Sequence, residues 1–294
     1  MRTYLIDGGT DVRVYRNSTW GNLRYVRYVP RYTYHRDFYG WVSQPWRQPV
    51  TYAWDSGPAL LYYDGYVRPE AVYAGPVFWL ADYLMLANLQ MAYNNRVMAN
   101  SGAASRPPEA MTPMRAEVRA LLAEHIGRQI EIEQSMANVR PDAGAAPPAL
   151  DPRRRVFVVH VDVDIEGSGG QLCGLSPGDV LQRTSEAPSS DGRISVMVLS
   201  SKNPSCPESL QGSIDLGTLQ DMDNQFREQI AAGLGKLAAT AGRSGIPSAP
   251  AAASVPFPEG QAVADTSAPE LLAAQLKEAD LVEEEARLAA ESSI

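Results

Sequence analysis

"VVHVDVDIEGSGG", residues 158–170, sets His160, Asp162, Asp164 and Glu166 at every second position. The intervening Val159, Val161, Val163 and Ile165 are all apolar and β-branched, the pattern of a strand with one face in a core and the other in water. The polar set is then simply the wet face. A calcium loop is the competing reading, since Asp162, Asp164 and Glu166 fall at loop positions 1, 3 and 5 of an EF-hand with Gly167 at position 6. Position 12, where a bidentate Glu should close the shell, is Cys173, no helix precedes the loop, and "GSGG" reads as a hairpin turn. The stretch is read as architecture, with no metal bound.

Working outward, three more β segments follow, "DVLQRTS", "ISVMVLSS" and "GSIDLG", and then a helix on which Leu219, Met222, Phe226, Ile230 and Leu237 share one face. Short strands with tight turns suggest a small barrel over residues 153–237. "GLSPGDVL", residues 174–181, resembles a turn-to-strand element of PDZ domains: Pro177-Gly178 suits a type II turn, and Asp179 can accept backbone amide bonds there. No helix lies between it and "ISVMVLSS", as a PDZ peptide groove requires, so an SH3-like barrel fits the order of elements better. Cys173 and Cys206 are the only cysteines, each beside turn residues where strand ends can meet. A disulfide between them is expected, and with it an oxidising compartment.

Toward the N-terminus, residues 138–152 are rich in Ala and Pro and read as a linker and domain boundary. Before them, residues 101–137 hold a flexible joint and an amphipathic helix with Met114, Val118, Leu121, Leu122, Ile126 and Ile130 on one stripe. Residues 1–100 form a Tyr/Trp-rich region of irregular β structure closed by an apolar helix at 77–97, where Leu80, Leu84, Ala87 and Met91 recur at helical spacing. Beyond the barrel, residues 238–266 have almost no large apolar groups and read as disordered. Ser267 and Glu270 then open an acidic helix, completing a disordered linker and acidic tail over 238–294. The fold class is α+β.

All 14 Tyr and five Trp lie in the first 93 residues. Residues 1–155 carry 18 Arg against 14 acids, net +4, whereas residues 156–294 are net −12, giving −8 overall. That balance argues against nucleic acid as a partner. The best binding surface is the run at 22–41, where Arg24, Arg27 and Arg31 interleave with Tyr25, Tyr28, Tyr32 and Tyr34, groups that can stack on sugars or pair with anions. None of His35, His125 and His160 sits in a nucleophile, metalloprotease, P-loop or dinucleotide motif, so no catalytic residue and no cofactor is assigned, and the chain is read as a non-enzyme. The longest apolar stretch, residues 77–93, is broken by Asp82, Asn88 and Gln90, so no membrane span is expected; the N-terminus has no apolar signal core, so if the protein is exported its signal has been removed or lost.

The whole pattern resembles uncharacterised bacterial secreted or cell-envelope proteins. The resemblance implies a periplasmic, cell-surface or extracellular structural or interaction protein, self-assembling or binding another envelope protein, with carbohydrate or wall-polymer binding as the alternative. Two outcomes are expected. Reduction should raise the intact mass of natively isolated protein by two hydrogens. Millimolar Ca²⁺ or Zn²⁺ should leave Tm unchanged, and a rise of several degrees abolished by Asp164→Asn would restore the metal reading.

Overall fold

The valine, tyrosine and arginine alternation of the first thirty residues forms strands, as aromatic and β-branched side chains favour. β1 (Tyr4–Asp7) pairs with β2 (Thr10–Arg13), and β3 (Tyr15–Trp20) with β4 (Leu23–Tyr28) around a turn in which Gly21 takes a φ of +56°. The computed structural model describes residues 4–7, 10–13, 15–30, 32–100, 111–136, 145–167, 170, 172–250 and 254–256. After β5 (Tyr32–Tyr34) comes helix α1 (Arg36–Ser43), in a stretch the sequence placed in irregular β structure. His35 Nδ1 accepts a bond from the Asp37 amide at 3.3 Å, and Phe38, Tyr39 and Val42 share the buried face. That cap and spacing outweigh the aromatic strand preference. β6 (Val50–Thr51) pairs with β7 (Val72–Tyr73), with the short helix α2 (Pro58–Tyr62) between them in the chain.

Gly75-Pro76 opens α3 (Pro76–Ala99), since proline fits a first-turn position whose N–H has no intrahelical acceptor. Of the three residues that interrupt its apolar run, Asp82 and Asn88 are buried and hydrogen-bonded, whereas Gln90 is exposed. Asp82 accepts the Tyr73 hydroxyl at 2.6 Å and the Glu70 amide at 2.8 Å. Asn88 exchanges amide bonds of 2.8 and 3.2 Å with Gln229. α4 (Ala116–Met136) packs on α3 and buries Val118, Leu122, Ile126 and Ile130 of the expected stripe.

The second half is a six-stranded antiparallel sheet of β8 (Val156–Val158), β9 (Val163–Gly167), β10 (Leu172–Leu175), β11 (Val180–Arg183), β12 (Arg193–Ser200) and β13 (Gln211–Asp215). Its order is β10-β9-β13-β12-β11-β8, so the two outer strands do not pair and the expected SH3-like barrel is not closed. The stretch read as one strand, "VFVVHVDVDI", supplies both β8, at one edge, and β9, beside the other edge strand. β8 packs against α4 and the helix that follows the sheet, α5 (Leu216–Thr240), with Val156 and Val158 in the core they share. The alternation survives in β9, with Ile165 buried and Asp164 and Glu166 exposed, but Val161 is solvent-facing. Cys173 and Cys206 are joined as expected, tying β10 to the loop after β12.

The boundary expected at 138–152 does not divide the packing. Leu216, Leu219 and Met222 of α5 enter the sheet core, while Phe226, Ile230, Leu234 and Leu237 of the same helix enter a core shared with α1, α3 and α4. Nor does order stop at residue 237. α5 continues to Thr240, Ile246 is 2% exposed, and β14 (Ser254–Pro256) pairs with β5. Gly245 makes this return possible: its φ is +84°, and a Cβ there would lie 2.6 Å from the Thr51 carbonyl oxygen. The acidic helix expected after Ser267 lies outside the described residues. Because α5 belongs to both cores, the full chain should unfold in one transition. A fragment of residues 153–237, stripped of α3 and α4, should bind a hydrophobic dye and lose cooperative unfolding; a sharp native-like transition in the fragment would contradict the shared core.

Candidate functional site

The Arg–Tyr run does not form one surface. Residues three apart on a strand face opposite ways, so Tyr25 and Tyr28 leave β4 on opposite sides, and both sides are covered. Tyr25, 7% exposed, donates its hydroxyl to the Ala145 carbonyl at 2.8 Å. Tyr28, 5% exposed, lies under the Arg227 guanidinium of α5, 5.5 Å from its ring centre, and burial raises its pKa. Tyr34 is half-buried against Phe38 and Tyr39. Arg24 is exposed, and Arg27 donates to the Ser18 hydroxyl at 3.2 Å. Arg31 and the Tyr32 side chain lie outside the described residues. Among the described residues of the run, the tyrosines are therefore largely core, and Arg24 is fully exposed while Arg27 is half-exposed.

Two clefts remain as candidate sites. The first, about 730 Å³, opens between the β3–β4 hairpin, the segment 145–154 and α5. Arg16, Arg27, Arg153, Arg154 and Arg227 line it, with Asp151 as the one carboxylate. Arg153 chelates Asp151 at 3.0 and 2.8 Å. Deeper in, Arg154 pairs with Asp223 at 3.1 Å, and Arg227 donates to the Tyr28 carbonyl at 3.0 Å while facing Glu133 at 3.8 Å. Burial raises the Glu133 pKa, with Arg227 pulling the other way. No short motif announces this cluster, because its arginines come from four separate stretches of chain.

The second cleft, about 1120 Å³, is lined by Trp41, Trp46, Gln44, Arg47, Gln48, Thr51 and the irregular segment of residues 247–250. Trp41 stacks on Phe38 at 5.7 Å and 26° and is half-exposed, whereas Trp46 is buried. Four prolines, Pro45, Pro49, Pro247 and Pro250, stiffen its walls. Sequence reasoning missed this cleft because its far wall lies in the stretch read as disordered.

The "GLSPGDVL" turn has a structural role. Gly178, at φ +95°, lets the turn press onto Leu89 of α3, and the Tyr66 hydroxyl donates to its carbonyl at 3.1 Å. Lys202 reaches in from the end of β12. Its ammonium donates to Asp179 at 2.7 Å and to the Pro177 and Ser176 carbonyls at 2.9 and 3.3 Å, over the faces of Tyr66 and Tyr63. Three acceptors satisfy the three N–H donors, so this is a satisfied latch between sheet and front rather than an activated amine. Asp162 and Asp164 line a smaller cleft of about 500 Å³ beside it, while Glu166 is exposed on β9. Among the described residues no group of three His, Cys, Asp or Glu is placed to hold a metal ion.

Comparison of the chain with protein-family models, with curated proteins and with solved structures finds no match. Two outcomes follow from the geometry. Lys202→Met leaves Asp179 buried without its cation and should cost about 3–5 kcal/mol, read by denaturant unfolding. Burial lowers the pKa of His125, packed on Phe226, to about 3 and that of His160 to about 4, from 6.5. The unfolded chain then binds more protons below that value. Stability should fall as pH drops from about 6.5 toward 4, by at most about 1.4 kcal/mol per unit for each histidine, and His125→Leu should remove its share of the slope.

Proposed function

We propose that the protein is a non-catalytic binding protein of the bacterial cell envelope or extracellular space, and that it holds a glycan or wall-polymer chain in the Trp41 cleft. The observation that carries this reading is the lining of that cleft: a half-exposed indole beside amide and hydroxyl side chains, with Arg47 as the one charged group. An indole face packs against the C–H face of a sugar ring, and neutral amides and hydroxyls pair with sugar hydroxyls without demanding a counter-charge. The Cys173–Cys206 disulfide supports an oxidising compartment. Among the described residues no helix is long and apolar enough to cross a membrane.

A second reading, association with copies of itself or with another envelope protein, draws support from β3. Among the described strands it pairs on one side only, with Asn17 and Thr19 interleaved along it. Light scattering of the intact chain against Asn17→Pro, which removes a backbone donor from that strand, examines this reading.

Pull-down on a panel of insoluble glycans and purified cell wall tests the first. At least one matrix should retain the protein, and Trp41→Ala should weaken retention about tenfold or more, as loss of an aromatic anchor does. Equal retention of the variant, or none on any matrix, would remove the glycan reading.

A further inference from the structure

Arg47 gives the Trp41 cleft a feature that a neutral sugar leaves unused. Resting on the reading of that cleft as a glycan site, we propose that its ligand is an anionic sugar polymer, one whose rings carry a carboxylate or a phosphate ester, and that Arg47 recognises the charge. The lining holds Arg47 as its one charged side chain and contains no carboxylate. Arg47 is exposed and makes no ion pair, hydrogen bond or ring contact among the described residues. Its planar fork of N–H donors is therefore open to the oxygens of a ligand, and carboxylates and phosphates match that fork two oxygens at a time. Gln44, Gln48, Thr51 and Ser248 supply neutral donors and acceptors for sugar hydroxyls around it.

The backbone that carries Arg47 is held in place without a ligand. Pro45 and Pro49 bracket Trp46, Arg47 and Gln48, each fixing its own φ and restricting the residue before it, and Gln44 is extended at φ −100° and ψ 145°. Trp46 is 7% exposed, and its amide donates to the Ala74 carbonyl at 2.9 Å. A Cβ on Gly75, the next residue after Ala74, would lie 3.2 Å from the Pro45 Cα, so the two segments are in close contact. The Trp46 ring centre is 6.2 Å from that of Trp41. Anchored Trp46 thus ties Arg47, its neighbour in the chain, to the cleft that Trp41 lines, and a charge carried on a fixed backbone loses less freedom on binding. The molecule as a whole does not supply the attraction. Its net charge of −8 repels a polyanion, so a preference for one has to come from local charge.

Calorimetric titration of the full chain with two matched pairs of polymers separates the charge from the sugar: polygalacturonate against its fully methyl-esterified form, and phosphomannan against neutral mannan. In at least one pair the anionic member should bind about tenfold more tightly than its neutral counterpart, the scale of one charge-assisted hydrogen bond. A preference in the first pair assigns a carboxylate, and in the second a phosphate ester. Arg47→Gln should bring that pair to parity while leaving the affinity for the neutral polymer unchanged, and Trp41→Ala should weaken binding of both members. Arg24→Gln, exposed on β4 and outside the cleft, should keep the preference. Binding that Trp41→Ala weakens but that does not distinguish charged from uncharged polymer, or a preference that survives Arg47→Gln, would overturn the assignment to Arg47 and leave the glycan reading standing. No binding to either anionic polymer would overturn it too, with the pull-down panel alone then deciding the glycan reading. Binding indifferent to Trp41→Ala would remove both.

Discussion

Helix α5 buries Gln220, Asp223, Asn224, Arg227 and Gln229, and a buried polar side chain costs stability unless something answers it. Each is answered from outside the helix, by one of three parts of the chain. Gln220 accepts the Ala149 amide at 3.0 Å, and Asp223 takes Arg154. Asn224 accepts the Tyr28 amide at 2.8 Å and donates to the Val26 carbonyl at 2.7 Å, clamping β4 by its backbone. Arg227 reaches the Tyr28 carbonyl, and Gln229 pairs with Asn88 of α3. The helix therefore dictates where the hairpin, the 145–154 segment and α3 sit. Apolar contact alone tolerates sliding; these hydrogen bonds do not.

The aromatic content of the front takes its meaning from that arrangement. Trp79 lies between Trp54 and Tyr83 at 5.1 and 5.4 Å, with Tyr52 edge-on at 5.5 Å, so much of the tyrosine and tryptophan forms a packed interior. Short strands and helices of two to eight residues cannot supply a continuous aliphatic layer, and large rings fill the gaps between them. Among the side chains the front presents outward are Arg24 of the hairpin and the half-exposed Trp41. Both clefts lie where this aromatic core meets a segment from the far half of the chain, 145–154 for one and 245–250 for the other.

Much of the helical skeleton was legible. α3, α4 and α5 follow from apolar residues at helical spacing and from Gly75-Pro76, because a helix stripe is a local pattern. The cysteine pair was legible from its position beside turns. The α1 helix was not, because strand-favouring aromatics masked a cap and a three-residue buried face. For the candidate sites, the sequence pointed to the right hairpin but the wrong side chains: Tyr25 and Tyr28 are covered, and Arg27 of the same strand lines a cleft whose other arginines lie up to 200 residues away in the chain.

The sequence by itself determined the α+β class, the chief helices, the β9, β11, β12 and β13 segments and the disulfide, all of which rest on spacing within a few residues or on chemistry only two residues possess. The tertiary structure alone decided that "VFVVHVDVDI" breaks into two strands of an open sheet, that the chain returns after α5 to pair with β5, and that five arginines converge on one cleft. The physical reason is common to all three. A strand's pattern states which face is buried but not which neighbour buries it, and a charged side chain carries no local trace of the distant groups that will surround it.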